Sequence, residues 1–171
     1  HMYHYIYLRG LVEKTGWYRQ NMGLTGYYES WSQSAENFFD EYNTAFSNAY
    51  CTIMSADNRI SGLLLPAAIS IGVHYYGWDE AKITEYVAAY FGEEAAAELA
   101  PLYLEIALDD AFYYLEYAVG YSLLQQEQRD AKAELGEAFD LRAFHEAFLS
   151  IGPTYFNLIA PRLDAWVAAQ R

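Results

Sequence analysis

YYGWDEAKITEYVAAYFG, residues 75–92, decides the fold class. Gly77 marks a turn, and Asp79 is a residue type whose side chain accepts from the free N–H groups opening a helix. Glu80 adds negative charge to the first turn, where the helix dipole is positive. Gly92 is a stop signal, because glycine enters the left-handed backbone region that ends helices. Turn, cap, first-turn acid and stop together predict a short helix.

The same punctuation recurs outward. An aromatic run, MYHYIYLRGLVEK, reads as the end of a helix closing near Gly10, followed by a glycine-marked loop over 16–26. From about Tyr27 to Met54 the pattern is helical, with Phe38, Tyr42, Phe46 and Tyr50 recurring every fourth residue. Asp57 is a candidate N-cap for a second helix running through Leu63, Leu64 and Leu65 to His74. Pro66 inside it predicts a kink rather than a break. EEAAAELAPLYLEIAL is helical but interrupted at Pro101. DDAFYYLEYAVGYSLLQQEQRDAKAELG predicts a long helix ending at Gly136. Asp140 caps the next, and Pro153 suits the first turn of a last helix through Trp166. No alternating strand pattern of useful length occurs. The expectation is an all-α protein of roughly six to eight helices, a single helical domain over 1–171.

Composition narrows function by exclusion. The 171 residues are 54% hydrophobic, which argues against global disorder, and 18% aromatic with 18 Tyr. Tyrosine joins packing area to a polar tip and suits half-buried surfaces and clefts, or simply fills gaps between helices. Lys and Arg number 10 against 23 Asp and Glu, a net charge of −13. Nucleic acid and anionic membranes would be repelled. Cations are favoured, although such charge also serves solubility alone. Cys51 is the sole cysteine and cannot form an internal disulfide. ISGLLLPAAISIGV falls short of the ~18 apolar residues of a membrane span and contains Pro66. No signal peptide is visible at the start.

Chemistry is harder to find. In GYYESWSQSAENFF, residues 26–39, Glu29 and Glu36 stand seven residues apart and share a helix face, with Trp31 and Phe38 on a neighbouring stripe. That face is either a wet surface or one that aims a carboxylate at a reaction. The only His-Glu pair, His145-Glu146, is followed by Leu149 where a zinc protease helix needs its second histidine, so it reads as a packed histidine on an amphipathic helix. His1 and His4 are one helical turn apart, but His1 opens the chain. Cys51 reads as a small buried residue. There is no GxSxG, phosphate-binding glycine loop or CxxC. His74, among Tyr75, Tyr76 and Trp78, reads as a helix C-terminal cap or as part of a ligand site. The residues alone give an acidic helical domain without a complete active site.

Several segments, in order, resemble the C-terminal part of the bacterial proteins catalogued as domain of unknown function 885. GYYESWSQSAE is similar to the family stretch GYxEGWAxYxE through Gly26, Tyr27, Glu29, Trp31 and Glu36. SIGVHYYGW resembles a D-x-G-hydrophobic-H-x-x-G-W segment through Gly72, His74, Gly77 and Trp78. Tyr117, Val119 and Gly120 match a Y-x-hydrophobic-G run. Leu135, Gly136, Phe139, Leu141, Phe144 and His145 match LG-x-x-F-x-L-x-x-FH, followed by Ile151 to Pro153. Ser30 stands where the family has Gly, and Ser70 where it commonly has Asp. The Pro and Asn that many members carry before the long helix are missing from DDAFYYLEY.

The resemblance implies a helical zinc metallopeptidase of which this chain is the C-terminal region. It implies Glu29 as a metal ligand, and His1 as another where His1 aligns with the histidine after a Pro-Gly upstream; His1-Met2 equally matches a cloning scar. His74 and Tyr117 would, by analogy, stabilise the oxyanion formed on a peptide carbonyl. The first histidine and its adjacent glutamate base are absent. A peptide substrate, zinc and a missing N-terminal region are therefore expected of the parent protein, with the isolated chain binding no cofactor and inactive. The competing expectation is a non-catalytic acidic helical scaffold or binding domain. A fragment cut from a larger fold would also self-associate through exposed apolar surface.

Overall fold

The computed structural model describes residues 1, 10, 22–42 and 47–171, and the side chains of all these except 39–42 and 48. The aromatic stretch 2–9 with His4, residues 11–21 with the first part of the expected loop over 16–26, and Phe46 lie outside the described residues. Residues 22–24 are non-helical, and Gly26 already lies in the first helix. Among the described residues there are eight α-helices and no strand: α1 (Thr25–Tyr42), α2 (Asn48–Arg59), α3 (Leu65–Tyr76), α4 (Glu80–Phe91), α5 (Glu93–Asp109), α6 (Tyr113–Leu135), α7 (Leu141–Ile151) and α8 (Phe156–Gln170). A π-helical turn, Ile60–Leu64, joins α2 to α3 without a break, so they form one rod, and a 3-10 turn, Gly136–Ala138, follows α6. The all-α expectation holds. None of these helices is long and apolar enough to cross a membrane.

The chain divides into two compact units, Asn37–Ala118 and the pair His1–Glu36 with Val119–Arg171. In Asn37–Ala118 the core is Leu65 and Ile69 of α3, Ile83 and Val87 of α4, and Ala96, Ala100, Tyr103 and Ala107 of α5. Steps of three and four put each set on one helix face. Alanines on α5 let its neighbours approach closely. The caps follow the sequence: Asp79 Oδ1 accepts from the Lys82 N–H at 2.9 Å, and Gly77 (φ 68°) and Gly92 (φ 84°) end their helices in conformations only glycine adopts freely. The N–H groups of Gly77 and Trp78 both reach the Gly72 carbonyl. A Cβ on Gly72 would fall 2.2 Å from the Trp78 ring, so the indole lies flush on a bare stretch of helix.

Four expectations need correction here. The helix expected across Tyr27–Met54 is broken, because Ser47 is extended (φ −66°, ψ 147°) and caps α2 through its Oγ, which accepts from the Tyr50 N–H at 3.2 Å. Asp57 is therefore not an N-cap; it lies inside α2, where its carbonyl accepts from Ser61 Oγ. Serine and aspartate compete for the same role, and spacing alone does not say which wins. Pro101 does not interrupt α5, which runs through it with the ring exposed. Water satisfies carbonyls on a helix's exposed side, so proline there is tolerated. Pro66 leaves its rod continuous as expected, and the π turn immediately before it is where the hydrogen-bond register shifts, the Leu65 N–H reaching Ile60.

In the other unit, Tyr27 and Trp31 of α1, Leu124, Ala131 and Leu135 of α6, Phe144, Phe148 and Leu149 of α7, and Ile159, Leu163 and Val167 of α8 share one core. Tyr27 stacks on Phe148 with ring centroids 4.9 Å apart. Asp140 caps α7 as expected, accepting from the Ala143 N–H at 2.9 Å. The fourth correction is Pro153: α8 begins at Phe156 after an extended Tyr155, and Pro153 is a fully buried part of the preceding turn. Burial, not helix initiation, is its role.

Where α1 meets α6, a Cβ on Gly120 would lie 2.2 Å from the Gly26 carbonyl oxygen. Neither backbone can swing away as a side chain would. Gly120→Ala should therefore destabilise the protein by about 1–3 kcal/mol, as overpacking does. Gly62→Ala, where a Cβ meets nothing within 4 Å, should cost nothing or stabilise by up to about 1 kcal/mol. Urea unfolding of both variants checks the contrast; equal effects would show that the α1–α6 approach carries no strain.

Candidate functional site

Glu29 and Glu36 separate in the structure. On α1, Tyr27, Ser30, Trp31 and Ser34 are buried, and Glu29 sits at the edge of that face with its side chain only 13% exposed, while Glu36 stands in water. The Trp31 and Phe38 pair divides likewise, Trp31 buried and Phe38 exposed. Ser30, where the resemblance expects Gly, is completely buried and donates to the Tyr27 carbonyl at 2.7 Å. Ser34 donates to the Ser30 carbonyl at 2.6 Å and accepts from Gln125 of α6 at 3.1 Å. These bonds anchor the turn that carries Glu29.

His1 is brought to Glu29, with 3.5 Å between Nε2 and Oε2. Its Nδ1 lies 2.9 Å from Ser32 Oγ, which itself donates to the Tyr28 carbonyl at 3.0 Å. A hydroxyl has one proton, so with that proton on Tyr28 the serine accepts from His1 Nδ1–H. The other ring nitrogen, Nε2, faces the Glu29 carboxylate. Two ligands of one tetrahedral zinc, each about 2.0–2.1 Å from the ion, stand about 3.4 Å apart. The His1–Glu29 separation fits two donors of such a site. Among the described residues, however, no three His, Cys, Asp or Glu side chains are grouped to hold a metal.

His74 and Tyr117 lie in the other unit, and both reach one turn. His74, exposed near the end of α3, bonds through Nε2 to the Ala107 carbonyl at 2.8 Å, and its ring lies 5.1 Å from that of Phe112. A carbonyl accepts, so Nε2 carries a proton that is already engaged. Ala107 is within the last four residues of α5, whose carbonyls lack helical partners. His74 therefore caps a neighbouring helix rather than its own. Tyr117 Oη lies 2.5 Å from Tyr113 Oη one turn earlier on α6, so one phenol donates to the other. Ser70, one turn before His74, accepts from the Phe112 N–H at 3.2 Å, which gives this departure from the family pattern a definite task.

Sequence reasoning missed Ser32, Tyr113 and Phe112. The i, i+4 spacing of Tyr113 and Tyr117 was the available signal for their pairing. Phe112 adopts φ 70°, a rarity for a bulky residue, and nothing in its residue type announces this. His145 and Cys51 match their bland readings: Cys51 is buried, and His145 is half-buried with its ring 5.1 Å from Trp31 in an edge-on contact.

Burial holds the His145 imidazole below its ordinary 6.5, favouring the neutral ring in the folded chain. The unfolded chain then binds the extra proton first as pH falls, so this stability is complete above about 6.5 and declines below it. His145→Phe should lessen the loss of stability between pH 7.5 and 5.5, measured by urea unfolding at both values. An unchanged loss would remove His145 from the acid response.

No curated protein and no solved structure matches the chain. The family model described as "Bacterial protein of unknown function (DUF885)" matches residues 2–160 and so spans Glu29, His74, Tyr117 and His145 together. With that match over nearly its whole length, the chain belongs to this bacterial family, DUF885.

Proposed function

We propose that this chain is the C-terminal helical part of a zinc-dependent, metallopeptidase-like protein, with Glu29 as a carboxylate donor to the metal. The supporting observation is the shielded Glu29 carboxylate held 3.5 Å from His1 Nε2. A carboxylate largely removed from water on a helix anchored by Ser30 and Ser34 is positioned for a fixed partner, unlike the solvated Glu36. Zinc in such a site supplies a Lewis acid for amide hydrolysis. The described residues provide two donors, His1 and Glu29, and the remaining histidine would come from the missing N-terminal region of the parent protein.

On the peptide substrate, His74 and Tyr117 are the two candidate oxyanion donors, as the family resemblance implies. His74 has its Nε2 proton engaged by Ala107, so in the neutral ring Nδ1 is an acceptor, and its contribution in this arrangement is to hold the Phe112–Tyr113 turn.

A second reading, a non-catalytic binding scaffold, draws on one observation. Along the rod formed by α2, the π turn and α3, Tyr50, Ile53, Ile60, Leu64, Ile71 and Tyr75 are exposed. Such a surface also favours self-association.

Peptidase assays with added zinc should find the isolated chain inactive. In the parent protein, which would supply the remaining histidine, zinc affinity measured by calorimetry should weaken at least about tenfold in Glu29→Gln, by comparison with the effect of removing even an indirect metal partner. Zinc-dependent hydrolysis by the chain alone would overturn the incomplete-site reading. Zinc affinity indifferent to Glu29→Gln would overturn the ligand assignment.

A further inference from the structure

Residues 37–118 hold 13 Asp and Glu against only Arg59 and Lys82, so this unit carries eleven of the chain's thirteen net negative charges. Within it, the His74 bond to Ala107 draws together the C-terminal turns of α3 and α5. Helix C-termini carry partial negative charge, and two of them meet here beside the exposed Asp109 and Asp110. The N-terminus of α6 opens beside them with the opposite sign, but Glu116 in its first turn offsets it.

Aromatic rings stand out into water around these charges. Tyr75 is 78% exposed, Tyr76 66%, Phe112 46% and Tyr113 41%. Tyr75 and Tyr76 meet edge to face at 4.8 Å, and His74, which precedes them at the end of α3, lies against the Phe112 ring. Phe112 is the most telling. Its backbone is held at φ 70°, a costly conformation, yet its ring is not spent in the core. Ser70 and His74 hold a strained turn that presents an aromatic ring to solvent.

We propose that this surface docks a Lys- and Arg-bearing peptide segment. Ammonium and guanidinium groups stack on aromatic faces, and Asp109 and Asp110 lie within the same turn to pair with them. An apolar partner would strip water from unpaired carboxylates, and a polyanion would be repelled. The inference stands apart from the peptidase reading.

The test is fluorescence anisotropy with a labelled Arg- and Lys-rich peptide and a matched peptide carrying Glu in their place, at low and physiological salt, with circular dichroism confirming each fold. The basic peptide should bind and the acidic one should not. Asp109→Asn/Asp110→Asn and, separately, Tyr75→Ser/Tyr76→Ser should each weaken binding about tenfold. Glu93→Gln/Glu94→Gln, which removes the same charge from exposed positions on the same unit, should change it less than about twofold. Binding should be the same with and without added zinc, which separates this result from the metal reading. Equal losses in the two carboxylate variants, or no loss in the tyrosine variant, would reduce the binding to general charge attraction and overturn the proposal.

Discussion

The approach of α6 to the Gly26 carbonyl is the constraint on which the unit containing Glu29 depends. Gly120 lies so close that one methyl group cannot be added without overlap with a backbone atom. This contact sets the separation of α1 and α6 one helical turn before Glu29. Packing then proceeds from it: Tyr27 stacks on Phe148, Trp31 meets His145, and Gln125 reaches Ser34. Most of Glu29's neighbours on the helix are committed to the core or to a hydrogen bond, and the carboxylate sits at the margin of that packing with 13% of its side chain exposed.

Residues 37–118 use a second bare glycine for a related purpose. Gly72 receives the Trp78 ring, and its carbonyl takes two N–H groups from the following turn. The reversal between α3 and α4 is thereby closed by one residue with no side chain. Two turns of α3 then act in series, Ser70 on the Phe112 backbone and His74 on the Ala107 carbonyl. The one-turn spacing of these polar groups thus serves a structural end, and the ring of Phe112 remains outside.

Charge and packing are divided between the two units. Nearly all the net negative charge falls in residues 37–118, and the other residues are close to balanced. Solubility alone does not require that partition. It does create a field that cations would enter and polyanions would avoid.

Much of the helical architecture was legible from residues 75–92 outward, because caps and stops are local: Asp79, Gly77, Gly92 and Asp140 act within a few residues of themselves. Ser47, Asp57 and Pro153 were misread for a related reason. Several residue types qualify for the same local task, and only the surrounding chain selects one. The pairing of Glu29 with Glu36 was a true helical periodicity, yet spacing cannot tell which of two residues on a face is shielded. By itself the sequence determined the all-α class, most helix ends and the acidic balance, since all follow from short-range chemistry, while the family resemblance singled out Glu29. Tertiary structure decided that Glu29 meets His1 while Glu36 meets water, that His74 caps a different helix, and that Phe112 is strained and exposed. Those outcomes turn on contacts between residues far apart in the chain, which no local pattern encodes.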